Sequence, residues 1–509
     1  MARVAVLGNG PVGQSAALLI ARWGVPVVLV DDRPGRDAVG SKAICQQGDV
    51  LDIWASVGAG RAIAAEGVTW TCARTFHRDR ELFRYEIAAR SAFPPFVNIS
   101  QSRTEQLLDE RIAAQPLIDV RWGHRVVGID QDAERVTVTC ETDGGPVRIA
   151  ADYAVACTGA HGGIREMLGV AFDGRSFDDR FLICDIRAEL PGWAHERRFY
   201  FDPPWNPGRQ VLIHPCPDST FRIDWQVPGD YDVAGDALDD RIRAIVGDRP
   251  YDVVWRSVYR FQSRVADRMR VGRVLLAGDC AHLMSPFGAR GLNSGVADAE
   301  NAAWKIAYAL HGRAGPDLLE SYHVERHAAA VENLAVTTAT MDFLVPQDDA
   351  RHRHRAAVLA GAATDPVPRA QVDSGRLAEP FWYDASPLTT PDPTRPATGR
   401  PARGTVPPAR PGVLVPDVPV AGGRFRELAR DGFLLLGWSR ARWDVPGTRY
   451  ADMTELDPTG MLGTALAARP GEVWVIRPDA HVAAVLADPG PAEVTAAVRG
   501  ALGGGRDVA

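Results

Sequence analysis

Val4-Ala5-Val6-Leu7-Gly8-Asn9-Gly10-Pro11-Val12-Gly13, with a second apolar run from Val25 that ends on Asp31, decides the fold. Val4 to Leu7 reads as a buried strand, Gly8 to Gly13 as a tight turn, and Pro11 to Gly24 as an apolar stretch fit for a helix. The run to Asp31 is then a second strand, so the chain opens with a strand, turn, helix, strand unit that builds a parallel α/β sheet. Glycines in such a turn let backbone N–H groups approach a pyrophosphate at the positive end of the helix. Asp31, with Asp32 beside it, stands about 20 residues on, where a carboxylate accepts hydrogen bonds from a ribose. Gly8, Gly10, Pro11, Val12, Gly13, Asp31 and Asp32 are therefore expected to bind a dinucleotide.

A second stretch repeats this logic about 270 residues later. In Arg273-Val274-Leu275-Leu276-Ala277-Gly278-Asp279 a buried strand ends on a carboxylate suited to polyol hydroxyls. The following Pro286-Phe287-Gly288-Ala289-Arg290-Gly291-Leu292-Asn293 is a glycine-containing loop that leads into a helix. Its N–H groups and the helix dipole can meet a developing negative charge.

The whole chain bounds these readings. At 509 residues it predicts about three domains, and a net charge of -7 without a basic patch argues against nucleic acid. The run Arg351-His352-Arg353-His354-Arg355 reads as a solvated helix face. Seven cysteines without a CxxC pair give no disulfide framework and no zinc site, and suit a reducing compartment. No stretch approaches the ~20 apolar residues of a membrane span, so a cytoplasmic protein, monomer or homodimer, is expected.

The pattern changes along the chain. Residues 1–173 read as the first part of the α/β domain and 174–265 as an inserted, mostly antiparallel sheet. Within that sheet, Gln210 to His214 and Thr220 to Val227 form a hairpin around Pro217-Asp218-Ser219. Residues 266–384 return to the first domain and add helices, 385–420 are a proline-rich linker or strap, and 421–509 a small α/β domain.

The two motifs, in this order, resemble the class A flavoprotein aromatic monooxygenases, the para-hydroxybenzoate hydroxylase-like group. The longer phenolic and polyketide hydroxylases with a thioredoxin-like C-terminal domain are the most similar. The resemblance covers about residues 1–345 and implies a Rossmann-like FAD-binding domain with the substrate sheet inserted. By it, Gly8, Gly10, Gly13 and Asp31 hold the ADP half of FAD, Val126 meets the adenine, and Gln101 lies near the flavin. Asp279 binds the ribityl chain, Pro286 lies beside the isoalloxazine, and Leu292 and Asn293 donate to flavin O2 after Gly291.

Departures from the family pattern are specific. Lys42 replaces an arginine, keeping the charge without the bidentate fork. Thr158-Gly159-Ala160-His161-Gly162-Gly163-Ile164-Arg165 lacks the family's aspartate and serine, which bears on NADPH use more than on FAD. Arg290, in place of a common glutamine, reads equally as an anion contact or as a surface arginine. Gly437-Trp438-Ser439-Arg440 carries no CxxC, which argues against a redox-active C-terminal domain.

In the hairpin, Thr220, Arg222, Asp224 and Gln226 share one face. Arg222 resembles the family arginine at the flavin edge, and His214 across the hairpin is a candidate for moving a phenolic proton near neutral pH. Tyr259 and Gln262 are weaker candidates, and His282 reads as structural. The implied reaction hydroxylates a small aromatic acid or polyketide through a flavin C4a-hydroperoxide made with NADPH or NADH and O2. An oxidoreductase without oxygen insertion and a Baeyer–Villiger oxygenase remain alternatives on the same scaffold.

Overall fold

The computed structural model describes residues 3–36, 43–87, 91–232, 238–397, 399, 407–438, 443 and 445–504. Lys42, and Ser439 and Arg440 of the C-terminal segment, lie outside the described residues. The opening unit is strand Val4–Leu7, helix Pro11–Arg22 and strand Val27–Val30. Val4–Leu7 pairs in parallel with Val27–Val30 on one side and Tyr153–Ala156 on the other. Ile118–Arg121 and Val274–Leu276 extend the sheet in parallel, and Arg270–Val271 closes it antiparallel. Each residue of Val4–Leu7 is 0% exposed, as expected of a strand packed between helix Pro11–Arg22 and a separate three-stranded sheet that includes Val136–Thr142 and Gly145–Ala151. Helix Arg290–Leu310 lies against Pro11–Arg22 and buries Val296, Ala299 and Ala303 in that core. The hydroxyl of Ser100 accepts the Arg103 N–H and so starts helix Gln101–Ala113.

The inserted sheet has eight strands, and Gln210–Cys216 and Thr220–Val227 form the expected antiparallel hairpin within it. Strand alternation divides the hairpin into two faces. Phe221, Ile223 and Trp225 pack on Ile242 and Val246, which leaves Arg222 and Asp224 to face the first domain. The sheet reaches further than residues 174–265: Cys72–His77 joins it parallel to Glu196–Phe201, and Arg80–Glu86 forms the edge. Cys72-Ala73-Arg74-Thr75-Phe76-His77 has no clean alternation, so it gave no strand signal.

Near the C-terminus, Thr448–Asp452, Phe433–Gly437, Glu472–Ile476 and Val482–Ala487 form a four-stranded sheet, with helix Pro491–Ala501 packed on it. Phe433 and Leu435 pack on Trp304 and Tyr308 of the first domain, while Leu434 and Leu436 face Trp474 in a second cluster. The described part of the proline-rich stretch is a strap bound to this sheet. Thr390 N–H donates to Ala483 O at 2.7 Å and Gly412 N–H to Val482 O at 2.7 Å. The arginine–histidine run lies on helix Asp349–Gly361 with one correction. Arg351 to His354 are exposed, but Arg355 is buried and forks onto Asp202 at 2.8 and 3.1 Å.

Candidate FAD and substrate cleft

A cleft of about 770 Å³ runs from the glycine turn to the hairpin. Gly8, Gly10, Pro11, Val12, Asp31, Asp32, Gln101, Val126 and Gly159 line its outer end. Asp279, Pro286, Gly291 and Leu292 line the middle, and His214, Arg222 and Asp224 the inner end.

The glycines test whether FAD fits. A Cβ on Gly8, whose φ is +102°, would sit 2.5 Å from Cys157 O, and one on Gly13 would sit 1.8 Å from Gly8 O. Those two glycines let the turn pack on itself, and Gly13 stands behind the cleft wall. A Cβ on Gly10, Gly159 or Gly291 would meet no protein atom within 4 Å. With Gly10, Gly159 and Gly291 lining the cleft, the backbone is laid bare where an extended dinucleotide would approach. Asp31 accepts the Asn9 N–H at 2.6 Å and the Arg33 N–H and Nε at 3.0 and 2.9 Å. Burial raises its pKa, but these donors outweigh burial and hold it below the ordinary carboxylate value, as a ribose acceptor requires.

The loop at Asp279 is fixed from behind. Gly278 N–H donates to Asp298 Oδ2 at 3.0 Å, His282 Nε2 lies 2.7 Å from the same oxygen, and Arg326 Nε donates to Oδ1 at 2.7 Å. His282, expected from sequence to be structural, is 1% exposed and faces Asp298. The Asn293 side chain is a strut rather than part of the wall. It donates to Cys45 O at 3.0 Å and accepts the Gln47 N–H at 3.0 Å. Arg290 borders the cleft but is 3% exposed, and its guanidinium donates to Arg376 O and Leu377 O at 3.2 and 3.0 Å. It is not a surface arginine. Arg165, in the segment that departs from the family, donates to Cys280 O at 3.0 Å and Ala160 O at 2.5 Å and stacks on Phe172. That arginine ties the Thr158 loop to the Asp279 loop.

At the inner end Arg222 is 2% exposed and forks onto Asp185 at 2.8 and 3.1 Å. Arg197, from the neighbouring Glu196–Phe201 strand, joins the wall. His214 Nδ1 and Asp224 Oδ1 are occluded and have no protein partner. Burial, with Arg197 and Arg222 nearby, keeps His214 neutral far below its ordinary value, which corrects the expectation that it titrates near neutrality. Burial pushes Asp224 up to about 7, against the pull of Arg222 and Arg197 and with the help of Asp185. Asp224 is therefore the group of this wall that titrates near neutral pH. Ile183 and Leu212 flank Asp224 on the neighbouring strands, and Tyr259, Phe261 and Phe287 line the same cleft. Phe181 stacks behind Phe261 and Phe287 with centroids at 4.6 and 5.4 Å.

Sequence reasoning missed Arg197 and Asp185. The available signal was the strand-like run Glu196–Phe201, in which simple alternation puts Arg197 on one face with Phe199 and Phe201. Among the described residues no group of His, Cys, Asp or Glu is arranged to hold a metal ion.

Comparisons with known proteins agree with this geometry. Residues 1–337 match the family model described as FAD binding domain. A 3-(3-hydroxy-phenyl)propionate/3-hydroxycinnamic acid hydroxylase of Mycobacterium sp. (strain JLS) is 29% identical, covering 98% of this chain and 92% of that protein. A para-nitrophenol 4-monooxygenase of Pseudomonas sp. (strain WBC-3) is 27% identical over 71% of this chain and 92% of its own. Among solved structures, the flavin-dependent monooxygenase PieE in complex with FAD and substrate shares the fold, with a TM-score of 0.84, 23% identity and 98% of both chains covered. The chain belongs to the FAD binding domain family and is an FAD-dependent monooxygenase of the class A aromatic hydroxylase group.

Proposed function

We propose that this chain hydroxylates a phenol, that the phenol binds at the inner end of the cleft, and that Asp224 takes its proton. When bound, FAD would supply the redox chemistry, with NADPH or NADH as the reductant and O2 as the oxidant. Gly10, Asp31, Asp279 and the N-terminal end of helix Arg290–Leu310 would hold it, with Pro286 beside the flavin ring.

Everything else falls to side chains of the protein. The aromatic wall of Phe261, Phe287 and Tyr259 holds a flat ring and excludes water. Ionised Asp224 accepts the phenolic proton and so raises electron density on the ring. Asp185 holds Arg222 at 2.8 Å, and Arg197 stands on the same wall, where a phenolate would bind. Neutral His214 serves as a hydrogen-bond partner and does not change charge. The observation that carries this reading is the occluded, unpartnered Asp224 oxygen beside an aromatic-lined cavity. The names of the relatives point the same way, since a 3-hydroxyphenyl acid and para-nitrophenol are both phenols.

The test compares phenolic acids and aromatic polyketides with their O-methyl ethers, following NAD(P)H consumption and product. Phenols are expected to be hydroxylated and ethers not; equal hydroxylation of both would overturn the proton-transfer role. A reducing, cytoplasmic setting is supported by seven free cysteines, all buried or half-buried. Among the described residues no helix is long and apolar enough to cross a membrane.

A further inference from the structure

A chain of buried polar contacts leaves the Asp279 loop in the direction away from the cleft. Asp298, which receives the Gly278 N–H, is held by Arg326, and Arg326 also donates to Ser294 O at 3.2 Å in the second turn of the cleft-facing helix. Arg326 Nη1 donates to the hydroxyl of Tyr383, just before the strap, at 3.1 Å, and Asn301 Nδ2 approaches the same hydroxyl at 3.3 Å. Asn301 donates to Glu325 Oε2 at 2.7 Å, as does Lys305. Arg477, just past the Glu472–Ile476 strand of the C-terminal sheet, forks onto Glu325 at 2.5 and 2.9 Å. Asp479 holds the other side of Arg477 at 2.6 Å, and Ser386 of the strap donates to Glu325 at 2.5 Å. Asp298, Lys305, Glu325, Arg326, Arg477 and Asp479 are each 2% exposed or less.

We infer that Arg477 and Tyr383 are positioning residues for the FAD site, through which the C-terminal domain and the segment leading into the strap hold the Gly278–Asp279 loop and the first turns of the Arg290–Leu310 helix in flavin-binding geometry. Adjacent residues on one helix link the two halves: Glu325 faces the C-terminal domain and Arg326 faces the loop. Burial would raise the Glu325 carboxyl; Arg477 and Lys305 overcome that and keep it ionised, while burial brings Lys305 down to about 8. Removing Arg477 takes compensation from the buried carboxylates of Glu325 and Asp479, so helix Glu320–Leu344 loses an anchor to the C-terminal sheet and is free to shift. Such a shift moves Arg326 and, with it, Asp298. Sub-ångström shifts matter here because Asp298 contacts the backbone N–H of the residue next to Asp279.

A second seam between the same two parts of the chain provides the control. Arg430 of the C-terminal region pairs with Asp52 and, at 2.6 Å, with Glu300, and it is likewise 2% exposed. Neither carboxylate contacts the Gly278 loop among the described hydrogen bonds. The experiment measures the FAD dissociation constant of the full-length protein by flavin-fluorescence quenching, beside the apoprotein Tm, for Arg477→Met, Tyr383→Phe and Arg430→Met. Both positioning variants are expected to raise the FAD dissociation constant, Arg477→Met by tenfold or more and Tyr383→Phe three- to tenfold. Arg430→Met is expected to lower Tm while leaving FAD affinity within twofold of wild type. Tyr383→Phe deletes a single oxygen and decides the matter if Arg477→Met fails to fold. The inference is overturned if Tyr383→Phe binds FAD like wild type, or if FAD affinity merely follows Tm across all three variants. Wild-type binding in the same titration separates this outcome from a failure of the FAD assignment itself.

Discussion

Asp224→Asn is expected to make the protein more stable at alkaline pH and far less active. The reasoning starts from a carboxyl raised to about 7 in the folded state, against an ordinary value of 3.8. A carboxyl raised on folding stabilises the native state fully below its unfolded pKa, and that contribution is lost as pH rises through the folded pKa. Between pH 5 and about 7 the unfolded chain releases this proton while the native protein retains it. At ~1.4 kcal/mol per unit, the wild type loses on the order of 2–3 kcal/mol from this group between pH 5 and 8. The asparagine variant does not titrate, so its stability advantage over wild type should widen by that amount. The assay is urea denaturation of both proteins at pH 5 and pH 8; the difference of differences cancels every other titrating group. At pH 8 the variant should also turn over at least ~100-fold more slowly with a phenolic substrate, the usual scale for losing a positioned base. A stability gap that stays constant from pH 5 to pH 8, or full activity in Asp224→Asn, would refute the reasoning.

Gly10→Val should fold with a Tm close to wild type and fail to retain FAD, because its Cβ meets no protein atom within 4 Å yet points into the cleft. Gly13→Ala should instead lose folded protein, since its Cβ would fall 1.8 Å from Gly8 O; expression, circular dichroism and flavin absorbance distinguish the two. Arg222→Met strands Asp185 in the sheet and should cost ~3–5 kcal/mol in urea denaturation at pH 8, whereas a loss under ~1 kcal/mol would show that Asp185 is solvated. His214 is neutral when folded, so its contribution is present above the unfolded value near 6.5 and lost as pH falls. The urea midpoint of His214→Gln should accordingly fall less steeply than that of wild type from pH 7 to pH 5.

How much of this was legible depended on range. Gly8 to Gly13 and Asp31 could be read because a turn, a helix start and a strand end are local, and each leaves its own residue pattern. The hairpin could be read because alternation and Pro217-Asp218-Ser219 fix both its faces and its turn. Cys72–His77 could not, because its place in the sheet comes from pairing with Glu196–Phe201, more than a hundred residues away. Arg290 was undecidable from sequence because the carbonyls of Arg376 and Leu377 that claim it arrive from a segment 86 and 87 residues away. His214 and Asp224 were recognised as candidates, but their roles depend on burial and on Arg197, an unremarked residue of another strand. Local chemistry named the ends of the cleft, and tertiary contacts decided which groups carry charge within it.

The most direct test of the account is one turnover experiment under heavy-isotope O2. FAD-loaded protein, NAD(P)H and a phenolic acid are incubated in the labelled gas, and the product is analysed by mass spectrometry. The expected result is a hydroxylated product carrying one labelled oxygen, formed by wild type and absent with Gly10→Val. An unlabelled product, or hydrogen peroxide with no oxygenated product for any phenol, would contradict it.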